Sequence, residues 1–246
     1  MILHIPHSST FIPERYSTGW IGDPKEAIRV LTDHDTDELF DHSEAQRVVS
    51  DISRIVCDVE RFETGEEMED HFGMGIVYER DHLQNILRAV TPDVKNKIVE
   101  SYYRPHHRAL YDAVTEELSM RGRSVIVDCH SFNDEQLPHV TNIMRPDFCI
   151  GSDSFHTPPE LVDQLVKYLN DCGYCVTVNE PFAGTIVPLE YYHVNRAVIS
   201  VMIEVNKRLY LDDQIQKNSH YETIKAVITE LLKIISNFKT DCVHIV

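Results

Sequence analysis

The sequence predicts an α/β domain in which helices cover a parallel or mixed sheet. Three observations carry this. Short apolar runs rich in β-branched residues alternate with stretches of helical period, helix starts are marked by a capping residue before a proline, and polar side chains gather where the apolar runs end. With 246 residues, 42% of them hydrophobic, and neither a repeat nor a Gly/Ser linker, the chain reads as one domain over residues 1–246.

Strands are expected over residues 1–5, 52–58, 124–129, 148–150, 175–178 and 198–205. Helices are expected to start at Asp23-Pro24, Thr91-Pro92 and Thr157-Pro158, where an N-cap oxygen precedes a proline whose missing N–H costs nothing at the first helical position. Glu160 would complete a capping box with Thr157. Residues 36–49 place Leu39, Phe40 and Val48 on one side of a helix, and residues 92–118 read as another long one. Over residues 221–238, Ile224, Val227, Ile228, Leu231, Leu232 and Ile235 form a packing stripe at helical spacing. The acidic run 63–70 reads as a solvated loop.

The formal net charge of -17 sets 40 acidic against 23 basic side chains, with no Lys/Arg stripe to neutralise successive phosphates, so nucleic acid is not an expected partner. Met1-Ile2-Leu3 is followed at once by His4 and Pro6, a pattern of neither a signal peptide nor a membrane anchor, and a cytoplasmic protein is expected. Cys57, Cys129, Cys149, Cys172, Cys175 and Cys242 lack the spacing of a disulfide scaffold and read as reduced thiols. The oligomeric state is left open.

Two strand ends bring imidazoles. Val125-Ile126-Val127-Asp128-Cys129-His130 ends in a polar cluster in which Asp128 and His130, two apart, share a face, so Asp128 can orient the ring. The first strand delivers His7. A hydrolytic zinc site needs three protein ligands and an open position, and a carboxylate is the missing member. Asp33 and Asp37, four apart at a helix start, both qualify, one as ligand and the other as orienter. Glu204 interrupts an apolar strand, where an ion pair with an arginine or a general-base role would account for a buried carboxylate. Arg54, Arg61, Arg104 and Arg196 are the candidate cations for an anionic substrate, Arg61 best placed among them. A cysteine mechanism is disfavoured: Cys129 and His130 point to opposite faces of a strand, and Cys172-Gly173-Tyr174-Cys175 closes a helix instead of opening one.

Taken together these segments resemble the N-formylglutamate amidohydrolase family. The likeness runs in order from residue 4 to residue 210 through His4-Ile5-Pro6-His7-Ser8, Thr36-Asp37 with Leu39-Phe40, Asp58 before Arg61, Tyr102 with Arg104-Pro105 and His107, Asp128-Cys129-His130-Ser131, Asn179 with Pro181-Phe182 and Gly184, and Ile203-Glu204-Val205-Asn206 ahead of Leu209-Tyr210. It implies a three-layer α/β/α sandwich with a mixed, mostly parallel sheet of the phosphorylase/hydrolase-like kind, related to the zinc carboxypeptidases. It also implies removal of a formyl or acyl group from the nitrogen of a small-molecule N-acyl amino acid, with one divalent metal, zinc, as cofactor. Carried over by position, His7, Asp37 and His130 are metal ligands, with Asp33 and Asp128 behind them. Glu204, His107 and Arg104 are catalytic, and Arg61, Arg104, Asn179 and Gly184 bind substrate. Four residues depart from the expected pattern: Ser9 for Gly, Glu60 for Asn, Tyr103 for Trp and Thr185 for Gly. Because all four adjoin expected site residues, a chain that keeps the fold as a binding or regulatory protein is the alternative reading.

Overall fold

The computed structural model describes residues 1–63, 68–134 and 145–239, so Cys242 and part of the acidic run lie outside the described residues. In chain order the elements are β1 (Ile2–Ile5), α1 (Pro24–Leu31), α2 (Thr36–Leu39), β2 (Gln46–Val49), α3 (Met68–His71), α4 (Pro92–Ile98), α5 (Arg104–Arg121), β3 (Ser124–Phe132), β4 (Phe148–Gly151), α6 (Pro159–Asp171), β5 (Val176–Val178), β6 (Val198–Asn206) and α7 (Tyr221–Asn237). A π-helical segment, Val99–Tyr103, joins α4 to α5 and makes the expected helix 92–118 one continuous run.

The strands form one sheet in the order β2-β1-β3-β6-β4-β5, parallel at every junction except β4 against β6. Alternation sorts the side chains onto two faces. Leu3, Val127, Val201 and Ile203 pack with Leu165 of α6 and Ile228 and Leu231 of α7. Ile2, Ile126 and Val198 pack with Leu110 and Val114 of α5 on the other face. Helices on both sides give the expected three layers, and β3 and β6, buried along their whole length, form the spine. A separate apolar cluster joins α1, residues 52–59, Ile76, Tyr78 and the π segment, and carries the 52–61 turn against the carboxyl end of the sheet.

Two expectations fail for one reason. The helix foreseen over 36–49 stops at Leu39, and Gln46–Val49 becomes the edge strand β2, paired in parallel with β1 from Ile2↔Gln46 to Ile5↔Val49. Conversely, residues 52–58 are not a strand but a buried turn, in which Ser53 O accepts from the amides of both Val56 and Cys57. The free edge of β1 recruits the segment that reaches it, and that long-range pairing overrides local period. Capping is borne out at Asp23 and Thr91, whose side chains accept from Lys25 N and Val94 N. Thr157 does not cap α6: its hydroxyl donates to Ser200 O at 2.6 Å, tying the loop to β6, and no box with Glu160 forms. The tail stripe is buried as expected. No helix among the described residues is long and apolar enough to cross a membrane.

Candidate active site

At the carboxyl ends of β1, β3 and β6 lies a cavity of about 270 Å³ whose lining includes His7, Asp33, Glu60, Arg61, His130 and Glu204. Strand ends of an open α/β sheet are where side chains from several strands can converge without breaking the ladder.

The first wall of the cavity is built by the strands. His130 stands on β3 opposite Glu204 on β6, and two pairs earlier Asp128 stands opposite Met202. His130 Nδ1 meets Asp33 Oδ2 at 3.0 Å, and its Nε2 faces Glu60 Oε1 at 3.0 Å and Asp128 Oδ1 at 3.1 Å. Burial works against charge on this ring, yet Glu60 and Asp128 outweigh it and raise its pKa well above the ordinary histidine value. Behind it, His4 on β1 meets Asp128 Oδ1 through Nδ1 at 2.7 Å and His106 Nε2 through its own Nε2 at 2.8 Å.

The second wall is the 52–61 turn, with Asp58 at its centre. Arg54 donates to Asp58 Oδ2 at 2.9 Å, Tyr78 donates its hydroxyl to the same oxygen at 2.8 Å, and the Glu60 amide donates to Oδ1 at 3.1 Å. Burial raises the Asp58 pKa, but Arg54, His7 and Arg61 overcome it and hold the carboxyl well below the usual range. An ionised carboxylate only accepts, so the 2.8 Å contact from His7 Nε2 to Asp58 Oδ1 puts the ring proton on Nε2. His7 Nδ1 is then a lone pair, and it is buried without a hydrogen-bond partner among the described residues. Asp33 Oδ2 at 3.7 Å and Glu60 Oε2 at 3.6 Å are the groups it faces.

Glu204 differs from its neighbours. Its Oε2 is buried with no hydrogen-bond partner among the described residues. Burial, reinforced by Asp33 and Glu60 and opposed by His130, pushes its carboxyl up to about 8. A carboxyl poised near neutrality in a cavity is suited to taking and giving protons. His7, Glu60 and His130 offer ligand atoms all within 4.8 Å of one another, and Asp33 reaches both imidazoles, a donor set of the kind that holds zinc.

Other expected residues stand elsewhere. Asp37 is on α2, outside the cavity lining, and its backbone carbonyl accepts from Arg47. Arg104 is a surface residue, its side chain 53% exposed and paired with Glu63 and Glu100. His107 donates to Val59 O at 2.7 Å and so braces the turn, as does Tyr103, whose hydroxyl donates to Arg61 O at 2.7 Å. Asn179 accepts from Ser152 N and Gly184 N, shaping the loop whose Pro181, Phe182 and Ala183 do line the cavity. Ser9 bonds Asp51 O, Thr185 bonds Ser200, and Arg196 lies over Phe155. Glu60, singled out in the sequence only as a departure, is central. His4 and His106 were also missed as site neighbours; the register pair His4↔Asp128 brings one of them in, and it follows only once β1 is known to lie beside β3.

The family model of N-formylglutamate amidohydrolase matches residues 1–211. Among solved structures, the crystal structure of N-formylglutamate amidohydrolase from Ralstonia eutropha JMP134 is similar with a TM-score of 0.82 at 23% identity, over 96% of this chain and 92% of that one. A gene product of Agrobacterium tumefaciens is similar with a TM-score of 0.69 at 20% identity, over 96% and 90%. At these identities the likeness to both structures is one of fold. No curated protein matches the chain.

Proposed function

The chain belongs to the N-formylglutamate amidohydrolase family, and from that premise we propose that it hydrolyses the amide bond of an N-formyl or N-acyl amino acid to the free amino acid and a carboxylate, using a divalent metal, zinc. The observation that carries this reading is the buried, unpartnered His7 Nδ1, which points at Asp33 and Glu60 beside His130. His7 and His130, with carboxylate oxygens from Glu60 and Asp33, would hold the ion, and both rings have their Nε2 atoms braced by carboxylates, as ligating histidines require. When bound there, the metal supplies Lewis acidity toward the amide carbonyl and makes water a stronger acid.

The chain's own residues do the rest. Glu204 takes the proton of the attacking water and returns it to the leaving amine, its buried setting making both transfers accessible near neutral pH. Arg61, already turned to the cavity and anchored on Met74 O at 3.3 Å, is assigned to the substrate carboxylate. Phe182 and the flanking Pro181 and Ala183 supply an apolar part of the cavity lining. The cytoplasm is the proposed compartment, which agrees with Cys57, Cys129, Cys149, Cys172 and Cys175 being free thiols.

The test is hydrolysis of N-formyl and N-acetyl amino acids by protein purified without chelator, with its metal content measured on the same sample. Release of the free amino acid by metal-containing protein is expected. A metal-free protein that stays inactive after zinc addition would favour a binding or regulatory role.

A further inference from the structure

A zinc site that does chemistry keeps one coordination position open, whereas four protein donors close it. Four donors gather here. Asp33 Oδ2 stands 3.7 Å from His7 Nδ1 and 3.0 Å from His130 Nδ1, and Glu60 Oε2 stands 3.6 Å from His7 Nδ1. Ligand atoms around a tetrahedral ion with bonds of about 2.1 Å lie about 3.4 Å apart, so these spacings suit a filled sphere. We infer that Glu60 is a displaceable fourth ligand, which occupies through Oε2 the position that the substrate's amide oxygen needs and yields it when substrate binds. The inference rests on the metal-hydrolase reading above and gives Glu60 a particular part in it.

The four donors are not held alike. His7 is pinned by its Nε2 on Asp58 Oδ1 at 2.8 Å, and His130 is part of β3. Asp33 is fixed at both ends: its amide donates to His7 O at 2.9 Å, its Oδ2 meets His130, and its side chain is only 3% exposed. Glu60 is the loose member. It follows the buried turn, its side chain is 16% exposed, and Oε2 at 3.6 Å from His7 Nδ1 is beyond hydrogen-bond reach. Its Oε1 does meet His130 Nε2 at 3.0 Å, but Asp128 Oδ1 meets the same nitrogen at 3.1 Å, so the ring keeps a carboxylate brace when Glu60 swings away. Charge favours the exchange as well. Two ligating carboxylates balance a divalent ion, and the departure of one leaves a net positive charge that attracts a carbonyl or carboxylate oxygen. The family resemblance puts Asn at this position, and a neutral amide could not close the site with a charge of its own. Because the reaction yields a carboxylate, Glu60 also competes with that product for its place.

Zinc and acetate are the probes. The unaltered protein, Glu60→Asn and Glu60→Gln are stripped with chelator and titrated with zinc in a calorimeter, and each zinc-loaded sample is then titrated with acetate. Both variants should bind zinc at least about tenfold more weakly. They should bind acetate at least about tenfold more tightly, since a position closed in nine of ten molecules lowers apparent affinity about tenfold. Opposite signs mark a displaceable ligand, because a merely structural role would weaken both. Zinc bound as tightly by the variants, or acetate bound no more tightly, would overturn the assignment while leaving the hydrolase reading intact. Failure of the unaltered protein to bind zinc would overturn both. Should the variants lose their circular dichroism signal, cobalt in the unaltered protein decides. A visible spectrum that millimolar acetate leaves unchanged supports the filled sphere, and one that it shifts refutes it.

Discussion

The two walls of the cavity are held by opposite means. On the strand wall, His4, Asp128, His130 and Glu204 take their places from the register of three parallel strands, so backbone ladders fix where each side chain emerges. On the turn wall no ladder runs through residues 52–58, and Arg54, Tyr78 and the Glu60 amide converge on one buried carboxylate, Asp58. The strand wall therefore tolerates loss of a side chain without losing its geometry. The turn wall depends on its charges, because removing one leaves another buried and uncompensated.

That contrast is open to direct attack. The largest effect is expected on the strand wall, where Glu204→Gln should lower turnover about 10²–10⁴-fold with zinc content and melting temperature unchanged. Near-normal turnover in a zinc-loaded variant would remove Glu204 from the chemistry. On the turn wall the expected pattern reverses: Asp58→Asn should cost about 3–5 kcal/mol in urea unfolding and weaken zinc binding about 10–100-fold, since the proton on His7 Nε2 loses its anionic acceptor. An unfolding curve that overlays the unaltered one would mean that something other than Asp58 holds the turn.

Smaller effects sharpen the same comparison. His107→Ala removes the donor to Val59 O and should cost about 1–3 kcal/mol of stability, with kcat falling far less than in Glu204→Gln. A kcat loss as large as that of Glu204→Gln at unchanged stability would make His107 catalytic instead of a brace. Smallest of all, Arg104→Ala should leave KM and melting temperature unaltered, because its partners Glu63 and Glu100 are surface groups. Arg61→Ala should raise KM, and a KM increase confined to Arg104→Ala would exchange the two assignments.

The same division explains what could be read from the sequence. Much of what local period sets was legible: His130 and Asp128 on one face of a strand, Cys129 on the other, Glu204 interrupting an apolar strand, and the helical stripe of α7. What depends on contacts between distant segments was not. The pairing of Gln46–Val49 with β1 has no local signature stronger than the helical pattern it replaces, and the turn at 52–58 looks apolar and β-branched because it is buried, not because it is extended. Asp33 and Asp37 differ in the sequence only by one helical turn. The contact of Asp33 with His130 at 3.0 Å distinguishes them, and it arises because Asp33 N bonds His7 O and docks the start of α2 on the end of β1. Glu60 stood out in the sequence only as a departure from the family pattern, and only the fold of the turn aims it at His7 and His130.

The central claim is that both walls meet at a metal ion held by His7 and His130. X-ray absorption at the zinc edge of the reconstituted protein tests it most directly. The account predicts imidazole nitrogens and carboxylate oxygens as the nearest scatterers, at about 2.0–2.2 Å, with the imidazole contribution reduced in His7→Ala. Sulfur at about 2.3 Å, or a spectrum unchanged in that variant, would contradict it.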